Sequence, residues 1–589
     1  MPEVKIERVD AIPVLVKFLQ RMHLVEIIDR IWIPDTKWQG LSYGQLSLLF
    51  IVYVIHERCH RLCSMESWVE EHHETLRIST GWPIRVNDAT DDRLGNMLGK
   101  LGNSEEKREE FQREMSSNLV QGFELPTDVA RYDTTSFSVH HDKEKKRENS
   151  FLEYGYSKDK RPDLQQFKQG LGVLDPAGVP LLSQTIPGNV SDDPLYIPAW
   201  REMVATLGKT DFLYVADCKG ASLETRATIS NEGGKYLFPM PMTGDIPKWL
   251  EEQVLNLSYQ AEEVYPKESK KENEPAIGQG FSLQRTMGYT FEDGTEHSWE
   301  EEWFVSQSYA HAKCQTKALD NRIEKAKAQL HSLRHKADES DEQYLQRAHS
   351  ILEKYRVKDY MIVAIDETII HTKKYRKPGR PTPNSRFEII RERKLKVDVQ
   401  IDGQAVQKAK RLAGWRPFVS NQTMTIQQTV HFYRDEWLVE HGIHRFKNGS
   451  LPTLPLWLHI PERIAGLMIL LFVALQTLTL IEFVARRAIT VNQQELAGLY
   501  PGNPTRTTYT PSAESLLHSF RNLHLIVSCG KHICQLHESL SPLQIQILGI
   551  LQLPLYIYDF SYTITNTSRY IPPRKPIRSL IHSSISLPP

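Results

Sequence analysis

The chain has 589 residues, of which 40% are hydrophobic and 25% charged. This length exceeds a single ordinary hydrophobic core and predicts several domains, while the composition excludes a disordered or fibrous protein. Lysine and arginine number 72 against 73 aspartates and glutamates, a net charge of −1, which excludes a global positive field and confines any nucleic-acid contact to local patches.

The cysteine content, the charged first residues and the single long apolar run predict a cytoplasmic protein. Six cysteines in so long a chain do not make a disulfide framework, and residues 1–10 are charged and lack the apolar segment of a signal peptide. The run 464–481 approaches membrane-spanning length but contains Gln476, Thr477 and Thr479, so we expect a buried core helix. A membrane-associated enzyme built on that run is the weaker alternative.

Residues 1–122 predict an N-terminal helical domain. Apolar side chains recur at helical spacing in its first segment, at Val14, Leu15, Phe18, Leu19 and Met22. Later connections carry glycine and proline, which are typical of breaks between helices.

One set of histidines and cysteines in this region has the residue types of a zinc site. These are His56, Cys59, His60 and Cys63. Their spacing predicts that all four lie on one face of a straight helix, which cannot surround a single ion tetrahedrally, so we do not expect a metal there.

Residues 123–230 change to a strand pattern. A β-rich segment surrounds Asp133, a hairpin follows with its turn at 175–178, and a helix ending near Leu207 precedes an apolar strand that closes on Asp217. Three strands, a helix and a fourth strand, with carboxylates on the first and fourth, are the order of a ribonuclease-H-like fold. We therefore predict an α/β protein whose ribonuclease-H-like core has its first part here.

A long insertion is predicted at 231–422, because the stretch between Asp217 and Glu440 is far longer than a crossover needs. Strand-like pieces alternate with turns along it, and apolar residues at steps of three and four from Leu319 to Tyr355 predict a helical hairpin over 315–356. The core's second part is predicted at 423–490, followed by a C-terminal helical region and tail at 491–589.

Residues 431–447, HFYRDEWLVEHGIHRFK, predict one amphipathic helix. Tyr433, Glu440 and Lys447 are spaced by seven, nearly two turns, and so form one stripe on this helix. Side chains three or four positions away are expected to place Glu440 beside the core: Trp437, Ile443 and His444.

Two strand-borne aspartates and one helix-borne glutamate have the chemistry of a two-metal phosphoryl-transfer site. Carboxylate oxygens are the ligands that Mg²⁺ prefers, and a sheet with a packed helix can bring them together. Asp133, Asp217 and Glu440 are therefore the candidate catalytic and metal-binding residues.

With these residues in place, the chain resembles the DDE transposases of bacterial insertion sequences, in the insertion-sequence family four superfamily. The glutamate of that branch lies in Y-x-x-R-x-x-x-E-x-x-x-x-x-x-K, and Tyr433, Glu440 and Lys447 match it. Glu436 stands where the pattern has arginine. The resembling transposases carry a β-rich insertion at the place of the one predicted here.

The resemblance implies an enzyme that binds terminal inverted repeats and target DNA and carries out metal-dependent strand cleavage and strand transfer in cut-and-paste transposition. It implies two Mg²⁺ ions, with Mn²⁺ as a substitute, bridged by Asp133 and completed by Asp217 and Glu440. Tyr433 and Lys447 would contact DNA phosphate, and Arg434 is a further candidate DNA contact. The resemblance also implies recognition of element ends by the N-terminal domain, a homodimer on DNA, no membrane contact and a nucleoid-associated location in a prokaryote.

Glu436 leaves a second hypothesis open. A carboxylate one turn from Glu440 faces DNA phosphate with like charge, and Arg434 cannot replace the missing arginine because two helical positions differ by about 200°. The alternative is a catalytically impaired relative that acts as an element-end DNA-binding protein or repressor.

Three short basic clusters are the candidate local contacts for nucleic acid. The first is Lys143, Lys145, Lys146 and Arg147; the second is Lys373, Lys374, Arg376, Lys377 and Arg380; the third is Arg391, Arg393, Lys394 and Lys396.

Overall fold

A computed structural model describes residues 4–141, 150–255, 260–267, 274–336, 339–375, 387–528 and 533–560. It is a mixed α/β structure with a large mixed sheet and many helices. The first basic cluster and part of the second lie outside the described residues, as does the predicted tail beyond residue 560.

The helices, in chain order, are α1 (Ile12–Arg21), α2 (Leu24–Ile31), α3 (Tyr43–Glu57), α4 (Met65–Glu71), α5 (His73–Thr80), α6 (Asp91–Gly102), α7 (Glu105–Phe123), α8 (Tyr196–Leu207), α9 (Leu223–Asn231), α10 (Ile246–Leu255), α11 (Tyr309–His331), α12 (Asp341–Lys354), α13 (Gly403–Leu412), α14 (Ile426–Arg434), α15 (Trp437–Lys447), α16 (Pro461–Asn492), α17 (Ala513–His518) and α18 (Pro542–Ile550).

The strands are β1 (Val4–Arg8), β2 (Val129–Val139), β3 (Gln165–Leu174), β4 (Pro180–Pro187), β5 (Leu213–Ala216), β6 (Lys235–Pro239), β7 (Glu262–Val264), β8 (Gly278–Thr290), β9 (Glu296–Ser308), β10 (Met361–Tyr375), β11 (Phe387–Ile401), β12 (Trp415–Ser420), β13 (Leu496–Ala497), β14 (Thr507–Thr508), β15 (His524–Ser528) and β16 (Ile533–Leu536).

The chain divides into two compact units. The core unit comprises Met1–Phe238, Thr286–Trp299 and Phe432–Pro589, and the inserted unit comprises Pro239–Arg285 and Glu300–His431.

Five strands of the mixed sheet lie in the core unit, in the order β4-β3-β2-β5-β6. β2 and β4 each pair antiparallel with β3, whereas β5 pairs parallel with both β2 and β6. The predicted succession of three strands, a helix (α8) and a fourth strand is present. β6 continues this part of the sheet beyond the predicted boundary at residue 230.

Helix α16 forms the centre of the core unit. It has 32 residues and is long and apolar enough to cross a membrane, but its apolar window is entirely buried inside the protein. Buried Gln476 donates hydrogen bonds of 2.9 Å to the Pro180 carbonyl and 3.2 Å to Ser116 Oγ, so its polar amide nitrogen is satisfied within the core. The structure confirms the prediction of a buried helix.

Two predicted helical regions contain strands. β1 pairs antiparallel with β15, which pairs with β16, so the first residues of the chain and the region after 491 share a small sheet. β13 and β14 form a second short pair. These short strands were not predicted, because strands of two to five residues pair with partners that local periodicity cannot identify, whereas α1 to α7 make the N-terminal region mainly helical.

The four residues considered as zinc ligands do not share a helix face either. α3 ends at Glu57, and Arg58 adopts a left-handed conformation with φ of 52° that turns the chain. Only His56 therefore lies on the helix, where it hydrogen-bonds to Asp10 at 3.1 Å.

The strands with most of their residues in the inserted unit follow the order β12-β9-β8-β7, and a separate antiparallel pair is formed by β10 and β11. Helices α11 and α12 pack through the predicted apolar seam, with Leu319, Ile323 and Ala348 buried in one cluster. The structure confirms the helical hairpin predicted within 315–356. β10 was not predicted, because its apolar residues fall on both faces and are interrupted by Asp366 and Glu367, so they do not alternate strictly with polar ones.

Helices α6 and α16 cross with their backbones in contact at two glycines. A Cβ atom on Gly466 would lie 2.1 Å from the Leu98 carbonyl oxygen, and one on Gly102 would lie 1.8 Å from the Glu462 carbonyl oxygen. Backbone atoms cannot move aside as a flexible side chain can, so this crossing requires glycine at both positions.

We expect Gly466→Ala to lower the free energy of unfolding by about 1–3 kcal/mol or more, because the helices must separate. Gly99→Ala, on α6, is the matched control: its Cβ would meet nothing closer than 3.9 Å. This control should raise stability by up to about 0.5–1 kcal/mol through helix propensity. Urea unfolding followed by circular dichroism measures both, and equal effects would contradict the packing argument.

Candidate active site

The parallel pairing of β2 and β5 brings two aspartates side by side. The register ends with Tyr132 opposite Ala216, and the next residues are Asp133, within β2, and Asp217, just beyond the end of β5. Adjacent strands lie about 4.8 Å apart, so these two positions are close. Two of the three predicted catalytic residues are therefore adjacent and half-buried.

Asp217 is held by the turn that follows β5. It caps the short 3₁₀ helix Cys218–Ala221 by accepting a 3.0 Å hydrogen bond from the Lys219 amide. The buried Tyr196 hydroxyl donates a second hydrogen bond to the same carboxylate oxygen. Burial and the charge of Asp217 raise the pKa of Tyr196, which keeps this hydroxyl a donor.

Residues 431–447 do not form one helix. α14 ends at Arg434 and α15 begins at Trp437, with a turn at Asp435 and Glu436 between them. Glu436, the N-cap of α15, makes no side-chain hydrogen bond to the helix start. The prediction of one continuous helix is wrong, because heptad spacing does not reveal a break of two residues.

The predicted stripe is consequently interrupted. Tyr433 lies on α14, and only Glu440 and Lys447 share α15. Glu440 is exposed, and Trp437 is 48% exposed, so the expectation that neighbouring side chains bury this acid beside the core is wrong.

α15 packs on the sheet face that carries Asp133. Leu171 is the β3 partner of Asp133 in register, and a Cβ on Gly442 would lie 2.9 Å from Leu171 Cδ2. Glu440 precedes this contact by two residues. The close approach at Gly442 sets how near α15 lies to the sheet, and the charge of Glu440 acts on Asp133.

A buried ion-pair network fixes the carboxyl-terminal half of α15. Arg445 is 1% exposed and donates to Glu482 of α16 at 2.5 Å and to both carboxylate oxygens of Glu514 of α17 at 3.0 Å. Burial raises the pKa of Glu514, but the Arg445 hydrogen bond and charge outweigh it and lower that pKa to about 2. The helix that carries Glu440 is thus tied to two others through one guanidinium.

The acids are close enough to affect one another. Burial raises the pKa of Asp133 to about 6, with further raising by the charges on Asp217 and Glu440, against a 2.7 Å hydrogen bond from the Thr134 amide and the charge of Lys158. Three carboxylates from two strands and one helix therefore interact in one place.

Glu436 is a fourth member of this group. Burial first, then the charge on Asp133, raises its pKa to about 7; Glu440 and Asp217 add to this, and a hydrogen bond with Tyr433 opposes it. The residue that departs from the family pattern thus faces the same cluster of acids.

The predicted DNA contacts occupy three different settings. Lys447 lies over the Phe137 ring at 5.7 Å and 3.6 Å from Asp159, on the same face of β2 as Asp133. The Tyr433 side chain hydrogen-bonds to Glu436, and Arg434 is exposed.

The carboxylate oxygens fit a hard divalent cation by their chemistry and by the repulsion that a cation would relieve. Within the described ranges, no group of three or more histidine, cysteine, aspartate or glutamate side chains is already gathered closely enough to hold an ion. The donors are therefore adjacent without forming a finished coordination shell.

Two residues of the site were not predicted from sequence. Lys158 donates to the Thr134 carbonyl at 2.8 Å and lies 3.4 Å from Asp192, in a loop interpreted only as basic. No pattern in the sequence marks Tyr196 as a site residue, because its hydrogen bond to Asp217 depends on how α8 packs beside β5. The departure of Glu436 from the YREK pattern did mark that position in advance.

Comparison with known proteins gives little. No family model matches the chain, and no curated protein matches it. Among solved structures, it is similar to a piggyBac transposase in a synaptic complex with hairpin DNA, with 8% identity and a TM-score of 0.34, covering 94% of this chain and 85% of that one. So low a score carries no argument, and the function must be argued from the site.

We expect Asp133→Asn to stabilise metal-free protein at neutral pH. The wild-type side chain has an ordinary pKa of 3.8 and a folded pKa of about 6, so folding retains a proton between these values and stability falls as pH rises through them. The variant has no such loss. Its free energy of unfolding should exceed that of the wild type by about 2–3 kcal/mol above pH 6.5 and equal it below pH 4. Urea unfolding across this pH range in chelator measures it. Exposed Asp211→Asn is the control, and a pH-independent difference would contradict the prediction.

We expect Arg445→Met to lower the free energy of unfolding by about 3–5 kcal/mol at pH 7, because it leaves Glu482 and Glu514 without their buried counter-charge. Arg434→Met removes an exposed arginine and should change stability by no more than about 0.5 kcal/mol. Thermal and urea unfolding compare them. A loss below about 1 kcal/mol for Arg445→Met would show that α15 is held by other contacts.

Proposed function

We propose that the protein is a DDE transposase of an insertion sequence, which binds terminal inverted repeats and carries out metal-dependent DNA strand cleavage and strand transfer. The strand order β4-β3-β2-β5-β6, with three antiparallel strands followed by two parallel ones, supports a ribonuclease-H-like core. The positions of Asp133 on β2 and of Asp217 directly after β5, the first and fourth of these strands in chain order, support the same assignment.

One observation carries the proposal: Asp133 and Asp217 directly follow the last pair of the β2–β5 register, and the charges of Asp217 and of Glu440, on a third element, raise the pKa of Asp133. A structural carboxylate is normally placed beside a cation or a set of donors. Here acids from three distant parts of the chain converge on one face of a sheet, which is costly without a cationic ligand.

Phosphodiester hydrolysis and attack by a 3′ hydroxyl are both in-line displacements at phosphorus. When bound, two Mg²⁺ ions, or Mn²⁺ in their place, would activate the attacking oxygen and stabilise the leaving oxygen. Asp133, Asp217 and Glu440 would hold these ions. The Tyr196 hydroxyl orients the Asp217 carboxylate, and Lys447 offers a positive charge to DNA phosphate at the other end of α15.

Glu436 supports a second candidate, an element-end binding protein without cleavage activity. A carboxylate replaces the expected guanidinium, and its hydrogen bond with Tyr433 occupies a second residue of the phosphate-binding pattern. Both changes weaken binding of phosphate at the acids without altering DNA contacts elsewhere. As a transposase the protein would act as a homodimer that holds both element ends, in the prokaryotic cytoplasm.

The test is nicking of duplex DNA that carries the sequences flanking the coding region, with Mg²⁺ or Mn²⁺. We expect cleavage by the wild type and a loss on the order of 10³ or more for Asp133→Ala, Asp217→Ala and Glu440→Ala, because each removes a ligand that the others cannot replace. Asp211→Ala, an exposed acid preceding β5, should cleave normally.

Binding of end DNA without cleavage under either metal ion would favour the non-catalytic candidate. Cleavage retained by Asp133→Ala would exclude this site altogether. Glu436→Arg distinguishes the two further: restoring the guanidinium should tighten end binding, and unchanged binding would show that this position does not face DNA.

A further inference from the structure

The longest strands of the inserted unit form a two-stranded ribbon. β10 and β11 pair antiparallel over fifteen residues each, from Met361 opposite Ile401 to Tyr375 opposite Phe387. The first part of one face packs on helices α11 to α13, burying Val363, Leu395 and others in their apolar cluster. Beyond the pair of Glu367 and Leu395, every described residue of that face is exposed.

The face that packs on the helices therefore continues past them. Alternation of side chains places eight residues on this extension, which we call the distal face: Ile369, His371, Lys373, Tyr375, Phe387, Ile389, Arg391 and Arg393. Its apolar members are well exposed, with Ile369 at 55%, Ile389 at 59% and Phe387 at 43%. The apolar residues that face the core near the helices are thus followed, on the same face, by apolar residues that the described part of the inserted unit leaves exposed.

Charge is distributed unequally between the two sides of the ribbon. On the side of the distal face, Glu367 is the one acid among the described residues of both strands, and Arg393 binds it at 2.8 Å together with Asp341 at 2.7 Å. Lys373 and Arg391 remain as a positive surplus. The opposite side is close to balanced, with three lysines and four acids: Lys374, Lys394 and Lys396 against Asp366, Glu388, Glu392 and Asp398.

We propose that the distal face binds duplex DNA. This inference rests on the proposed function and adds a DNA contact outside the acid site. The distal face runs from the pair Ile369–Arg393 to the pair Tyr375–Phe387, six residue steps that at about 3.3 Å each extend roughly 20 Å. A two-stranded ribbon fits the major groove, which is about 12 Å wide. Lys373 and Arg391 contact phosphates at the groove edges, while the isoleucines lie against sugars and thymine methyl groups.

The experiment compares two double variants of the full chain that remove the same charge from opposite sides of one ribbon. Lys373→Ala/Arg391→Ala alters the distal face, and Lys374→Ala/Lys394→Ala alters the other. Binding to a labelled duplex of arbitrary sequence is measured by fluorescence anisotropy over a series of salt concentrations. Thermal unfolding of all proteins checks that these exposed substitutions leave the fold intact.

We expect the distal-face variant to lose at least about tenfold in affinity near 0.1 M salt, and the slope of log K against log salt to fall by about 1.8, or 0.9 for each phosphate contact. The control variant should stay within about twofold of wild type. Equal losses in both variants would overturn the proposal, since they would reflect net charge alone.

Two further outcomes also overturn it. If wild type binds DNA and the distal-face variant binds equally well, the ribbon is not a DNA contact, although the proposed transposase can still stand on its nicking test. If that variant instead changes the mass measured by light scattering with unchanged DNA affinity, the face joins two copies of the chain. A wild type that binds no DNA would refute the proposed function itself.

Discussion

The parallel register of β2 and β5 is the constraint on which the candidate site depends. It brings Asp217 close to Asp133, where burial and the like charge of Asp217 both disfavour ionisation of Asp133. Two neighbouring groups reduce this cost. The positive charge of Lys158 acts on Asp133, and the Tyr196 hydroxyl donates a hydrogen bond to Asp217. These groups orient the acids without neutralising them, which leaves a negative site available to a cation.

Glu440 reaches this site by a different physical route. No strand pairing fixes it; the close contact of Gly442 with the sheet and the buried Arg445 network position α15. A buried ion pair is a poor source of net stability but is strongly destabilising when broken, so it specifies one arrangement of helices. The third acid is therefore placed by the core of α16 and α17, far along the chain from either aspartate.

Sequence patterns predicted the features that local periodicity determines: β2 with Asp133, the strand before Asp217, buried α16 and the α11–α12 hairpin. They failed where partners are distant or local rules conflict. β1 and β15 pair from opposite ends of the chain, and the heptad spacing around Glu440 concealed a helix break at two acids. β10 was missed because apolar residues on both of its faces, interrupted by two acids, do not show the strict alternation by which a half-buried strand is predicted.

Glu436 changes the order in which ligands can bind, if the site works as proposed. With arginine at this position a site could attract phosphate directly, whereas four acids repel it until divalent cations have bound. The hydrogen bond with Tyr433 strengthens this effect because it draws a phosphate-binding hydroxyl toward the acids. DNA must then first be held elsewhere on the protein, by a surface that is positive before metal binds. The distal face proposed above would meet that requirement on a chain whose net charge is only −1.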